Sequence, residues 1–179
     1  MGPSDVKVLG AAPSPYVNRV QIALNLKSVD YEFLEETTGS KNPYDRAMAR
    51  FWAAYIDDKW APLAKGIRNA EGEEAKAAAL EQTMEGNMLL EDAFVKCGKG
   101  KDFFGGDTIG YLDITLGSFL GWLRAAEKIE NIKLFDETKT PGLFRWAERF
   151  ASNAAVKDVI PTEKILELSK MLGAKAKAK

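Results

Sequence analysis

The sequence predicts a bundle of α-helices carrying a small strand–helix–strand unit at its front, an all-α domain joined to a partial α/β one. Three observations lead there. Strand-like runs are confined to the first 34 residues, apolar residues recur at helical spacing from Tyr44 onward, and no further sheet sequence follows the strand–helix–strand start. With 179 residues, 46% of them hydrophobic, the chain can bury one core and a small appendage.

Asp5 to Leu9 is short and rich in β-branched and aliphatic residues, and the turn-forming run Gly10 to Pro15 follows at once, giving a strand and a loop. Ser14 is placed to cap a helix with Pro15 at its first position. Val17, Val20, Ile22, Ala23, Leu24 and Leu26 carry that helix to near Lys27 and Ser28. Because it is apolar nearly all round, it is expected to be buried. Tyr31 to Leu34 alternates aromatic and polar residues and reads as a second strand.

After Thr37 to Pro43 the pattern turns helical. Met48, Trp52, Tyr55, Ile56, Leu63 and Ile67 form one stripe, with Pro62 expected to kink or break it because its ring forfeits a hydrogen bond. Leu80, Met84 and Met88 recur every fourth residue beside Leu90 and Phe94, a second long helix. Asp113 to Ala126 is apolar on most sides and reads as one central helix, started by Gly110 as N-cap with Asp113 three residues on, so Asp113 is structural. Shorter helices are expected over Leu143 to Ala151 and Glu163 to Leu172, and the tail AKAKAK is solvated.

Composition narrows the chemistry. With 25 basic and 26 acidic residues the formal charge is -1, so no overall positive field favours nucleic acid or an anionic membrane. The lone Cys97 allows neither an internal disulfide nor a CxxC pair and reads as an exposed loop thiol. With no histidine, catalysis must rest on hydroxyls, carboxylates, Lys or Arg, and a histidine metal site is excluded. The opening MGPSDVKVLG lacks the regions of a signal peptide and no run of eighteen apolar residues occurs, so the expected location is the cytosol. Gly105-Gly106 resembles a phosphate loop only superficially, lacking the Lys and the preceding strand.

Four strings, in order, carry a family resemblance: VLGAAPSPYVNRVQIALNLKSVDYEFLEE, PYDRAMARFWAAYIDDKW, FFGGDTIGYLDITLGSFLGWL and KTPGLFRWAERF. Together they resemble the tau-class cytosolic glutathione transferases of plants. The resemblance implies a glutathione-transferase-like fold, with a truncated thioredoxin-like β-α-β remnant over residues 1–43 and an all-α bundle over 44–179. In the family, the GSK segment leads into a helix, a cis-proline loop, two antiparallel strands and a Glu-Ser pair. Here Asn42 and Pro43 run straight into Tyr44, so roughly forty to fifty residues of that domain are absent.

Ser14 has two readings. From local sequence it caps a helix; by resemblance it aligns with the family's catalytic serine, which donates a hydrogen bond to the sulfur of glutathione. A thiol of pKa about 8.5 needs about 2.7 kcal/mol of differential stabilisation to fall two units, within reach of a hydroxyl bond plus a helix N-terminus. Lys41 matches a family lysine beside the glycine carboxylate of glutathione, and Arg19 supports the site electrostatically or forms a surface ion pair. Trp122 aligns with an aromatic of the family's hydrophobic site and is otherwise a core tryptophan. Tyr16 is a second wall of that site, and Ala61, Lys65 and Arg68 fall where the family tunes substrate choice.

Two classes of function follow. One is an enzyme that conjugates glutathione, its cosubstrate, to hydrophobic electrophiles in detoxification and stress response, or reduces peroxides with it, using no metal. The other is a non-catalytic helical module binding hydrophobic ligands or a protein partner. The retained Ser-Pro and GSK motifs favour the first, and the missing sheet favours the second. The family is homodimeric through part of the absent segment, which leaves dimerisation of this chain open.

Overall fold

The computed structural model describes residues 6–10, 15–35, 42–157, 163–167 and 171. The chain divides into two compact units, Met1–Arg46 and Ala47–Lys179.

In the first unit β1 (Lys7–Gly10) and β2 (Glu32–Glu35) flank α1 (Pro15–Leu26). The strands pair in parallel, with Val8 opposite Phe33 and Leu9 opposite Leu34, and α1 packs on β1. Among the described residues the sheet has two strands. That width explains where the expectation of a buried α1 fails. Val20, Ile22 and Leu26 are 49%, 58% and 82% exposed. Two strands spaced about 4.8 Å apart can cover one stripe of a helix that is about 10 Å across, and the remaining apolar sides stay open.

Helix α2 (Pro43–Tyr55) starts with proline at its first position, and the Asn42 side-chain oxygen accepts a hydrogen bond from the Tyr44 N–H at 2.9 Å. It does not break at Pro62. Instead Ile56–Trp60 forms a π-helical turn in which the Ala61 N–H bonds to the Ile56 carbonyl, and α3 (Ala61–Asn69) continues with Pro62 in its first turn. Proline lacks an N–H, so the ladder must be rearranged near it, and widening one turn does so without a break.

Helix α4 (Glu73–Gly98) is the longest of the second unit, and its buried face differs from the expected stripe. Thr83, Asn87, Leu90, Ala93 and Phe94 face inward, whereas Met88 and Leu89 are 55% and 48% exposed. A strict four-residue repeat drifts about 40° per step around a helix of 3.6 residues per turn, so Leu80, half-buried, still packs against the core while Met88, two steps on, has left it. Cys97 lies within this helix, half-buried against the core, and is not an exposed loop thiol.

The expected central helix is two helices, α5 (Tyr111–Gly117) and α6 (Leu120–Glu130). Between them the Phe119 N–H bonds to the Leu116 carbonyl, a tightened turn, while the hydroxyls of Thr115 and Ser118 bond back to carbonyls of the preceding turn. The Phe150 ring packs against this spot, where a Cβ on Gly117 would lie 2.2 Å from it. Helix α7 (Pro141–Ser152) receives a carboxylate cap from α4, because Glu91 accepts the Gly142 and Leu143 N–H groups at 2.8 Å each. Residues 163–167 are helical, within the expected terminal helix.

The core of this unit turns on two tryptophans. Trp60 and Trp146 are fully buried, and each indole N–H has a polar partner: Trp60 donates to Asn87 at 2.7 Å and Trp146 to Asp113 at 2.7 Å. Asn87 donates in turn to the Leu134 carbonyl at 2.6 Å. Asp113, also fully buried, accepts three further bonds at 2.9 Å from the backbone N–H groups of Phe104, Gly105 and Gly110. It therefore closes the loop before α5 as well as capping that helix. Since Gly110 has no side-chain oxygen, the capping is one-sided. Burial pushes the Asp113 carboxyl above its usual 3.8, and the N–H donors pull against that shift. Among the described residues no helix is long and apolar enough to cross a membrane.

Three outcomes follow from this packing. Replacing Asp113 by Asn turns an acceptor oxygen into a donor that faces N–H groups, and should cost about 3 kcal/mol or more in urea unfolding. Gly117→Ala should cost about 1 to 3 kcal/mol, and combining it with Phe150→Leu should recover part of that loss; strictly additive effects would show that the ring is not the obstacle. The Asp136 carboxyl is held down to about 2, first by the Thr138 hydroxyl and then by the Lys139 and Thr138 N–H groups. Its folded pKa lies below its unfolded value, so its stabilisation is present above pH 3.8 and disappears as pH falls through about 2. A carboxyl-carbon NMR titration should therefore find Asp136 ionised at pH 3.8, and half-protonation there would refute the assignment.

Candidate functional site

Ser14 and Lys41 lie outside the described residues. Tyr16 and Arg19 fall on the first turns of α1, with side chains outside the described set. The other predicted positions lie in the second unit, and the fold brings them together.

On α3, Ala61, Ala64, Lys65 and Arg68 follow the i, i+3, i+4, i+7 spacing of a single helix face. On α6 and the turn before it, Phe119, Trp122, Leu123 and Ala126 do the same. The two faces border a cavity of about 320 Å³ whose wall is predominantly apolar. Trp122 is 40% exposed, so it is a wall of this space and not a core tryptophan. The Arg68 guanidinium carbon lies 5.7 Å from the centroid of the Trp122 ring, a cation–π contact across the cavity between the two helices.

The deeper wall is rigid. Ala61 is 3% exposed and Trp60 is fully buried, held by its bond to Asn87, with the Phe119 ring set edge-on at 5.8 Å. The far end carries Glu130, whose carboxylate is bonded to Lys76 at 2.8 Å. That contact raises the Lys76 pKa, through the hydrogen bond first and the charge second.

Sequence reasoning did not single out Trp60, Phe119 or Glu130 as site residues. Phe119 was reachable, since it precedes Trp122 by one turn and shares its face. Trp60 was not, because the π turn that aims it leaves no pattern in the apolar stripe. Chemically, the arrangement offers flat aromatic surface, an apolar floor and two cations, Lys65 and Arg68, on one helix. It suits a small amphipathic molecule.

The comparisons with known proteins agree with the resemblance read from the sequence. Residues 73–149 match the family model described as glutathione S-transferase, C-terminal domain. Glutathione S-transferase U17 of Arabidopsis thaliana is 46% identical over 227 aligned positions, covering 99% of this chain and 100% of the relative. Because 227 exceeds the 179 residues here, the relative has residues without a counterpart in this chain. The crystal structure of a tau-class glutathione S-transferase from mango, Mangifera indica, is 49% identical with a TM-score of 0.72, covering 94% of this chain and 98% of that one. A rice glutathione transferase solved in complex with glutathione shares the fold at 23% identity and a TM-score of 0.64, over 94% and 96% of the two chains. Identity of this extent along nearly the whole chain shows that it belongs to the glutathione S-transferases, in the tau class.

Proposed function

We propose that this protein is a glutathione transferase that joins glutathione to hydrophobic electrophiles, with the electrophile seated in the cavity bordered by α3 and α6. The observation that carries this reading is the cavity itself: an apolar space walled by Trp122 and Phe119, in a chain 46% identical to a named transferase. The rice relative was solved with glutathione, which supports glutathione as the cosubstrate here. The alternative of a purely ligand-binding helical module is not favoured by relatives named as transferases over the whole chain.

In this reading residues 1–43 form a partial glutathione-binding domain and residues 44–179 the electrophile-binding one, and the protein works in the cytosol. Ser14 donates a hydrogen bond to the glutathione sulfur and, with the helix that begins at Pro15, favours its thiolate. The thiolate attacks an electrophilic carbon, a carbon–sulfur bond forms, and the leaving group departs with its electron pair while the thiol proton passes to solvent. No covalent bond to the protein is made. With a peroxide, the thiolate attacks one oxygen, and the O–O bond breaks to release an alcohol (water from hydrogen peroxide) and leave a sulfenic acid on glutathione. A second glutathione attacks that sulfur to give the disulfide and water. Lys41 would meet the glycine carboxylate of glutathione, and Arg19 would add positive potential. Tyr16, Trp122, Lys65 and Arg68 would shape electrophile choice.

The test is a calorimetric titration with glutathione, beside an intact tau-class enzyme. Binding weaker than the intact enzyme is expected, because the family's Val-Pro and Glu-Ser contacts to the peptide have no counterpart in this sequence. Ser14→Ala should leave binding nearly unchanged yet lower kcat/KM for conjugation about 100-fold, as removing a single donor to a developing anion does elsewhere. If this chain gives no heat where the intact enzyme does, the transferase reading is sunk for this polypeptide.

A further inference from the structure

The cavity bordered by α3 and α6 is apolar apart from three charged side chains, Lys65, Arg68 and Glu130. They do not cancel one another. Glu130 is paired with Lys76 at 2.8 Å and is thereby neutralised. Among the described residues no carboxylate lies within ion-pair distance of the Lys65 ammonium or the Arg68 guanidinium. Arg68 instead stands over the Trp122 ring, 5.7 Å from its centroid. Lys65 and Arg68 are one turn apart on the same face, so a single anionic group can reach both. Cations beside low-dielectric walls attract an anion more strongly than they would in open water.

We propose that this cavity selects flat, apolar molecules ending in a carboxylate or sulfonate, the anionic end held by Lys65 and Arg68 and the body resting on Trp122 and Phe119. The inference rests on the proposed function only in treating such a molecule as a substrate; its binding needs no glutathione. Neutral electrophiles of the same shape are then the poorer occupants. Guanidinium and ammonium divide the work: the Arg68 fork grips two oxygens at a fixed angle, and Lys65 adds a mobile point charge.

The experiment titrates the full chain, without glutathione, with naphthoate and with naphthamide, which have nearly the same shape and differ in charge. The readout is calorimetry at low and raised salt. Naphthoate should bind about tenfold more tightly at low salt, and the advantage should shrink as salt screens the two exposed cations. In a Lys65→Gln/Arg68→Gln variant the two affinities should become equal, with naphthamide unchanged, while Lys96→Gln on α4 should alter nothing. Equal affinities in the unaltered protein overturn the proposal, as does a preference that is indifferent to salt or survives in the double variant. The salt series uses the unaltered chain, so it decides the matter even if the double variant fails to fold. Loss of conjugation with the naphthoate preference intact would sink the transferase reading alone; the reverse result would sink only this one.

Discussion

A buried carboxylate organises the helical unit. Asp113 is inaccessible to solvent and takes hydrogen bonds from three backbone N–H groups of the preceding loop and from the Trp146 indole. An ionised group in such a place is tolerable only when its oxygens are fully engaged. That requirement fixes the path of residues 104 to 110, the start of α5 and the orientation of Trp146 in one arrangement. Phe104, Phe135 and Phe150 then pack around the Trp146 ring, and Phe150 in turn presses on Gly117 where α5 ends. Where α6 begins, and so where Trp122 stands, is set at the end of that chain of contacts.

A second polar pair does for the other wall what Asp113 does for the first. Asn87 holds the indole of Trp60 and ties it to the Leu134 carbonyl, so the π turn before α3, helix α4 and the segment before α7 share one anchor. Both tryptophans follow the same rule: the aromatic body is buried and its single donor is met by a buried side chain on another element. Trp52 departs from it. Its indole nitrogen is buried without a partner in the described structure, and nothing in the surrounding packing accounts for this.

Much of this was legible in the sequence, and the failures share physical causes. The strand–helix–strand start, the bundle and the capping by Asp113 are present in the residue pattern, because helical periodicity and cap chemistry are local, whereas the grouping of Lys65, Arg68 and Trp122 came from the family resemblance. What escaped depended on other elements. The split of the central helix at Ser118 falls where the Phe150 ring of α7 lies against Gly117, a contact that the local sequence does not announce. The inward face of α4 carries Thr83 and Asn87, polar residues that a hydrophobic stripe cannot announce, while Met88 points out. The exposure of α1 reflects how little sheet lies beneath it, a property of the neighbourhood and not of the helix. For Ser14, Tyr16, Arg19 and Lys41, the family resemblance was the whole source of a chemical role.

The π turn at Ile56–Trp60 sets a rotational phase. Each residue added to or taken from a helix turns all that follows by about 100° about its axis. A regular helix built from the same five residues would be a better-formed rod, yet it would swing Ala61, Lys65 and Arg68 about a quarter turn away from Trp122. A regular helix one residue shorter would keep them in phase, because the wide turn takes up one extra residue. The winding of these five residues, wide and not regular, therefore acts on ligand choice as surely as the identity of any lining side chain. A single-codon deletion here, taken up by loss of the wide turn, would leave the row of side chains on α3 facing the pocket as before.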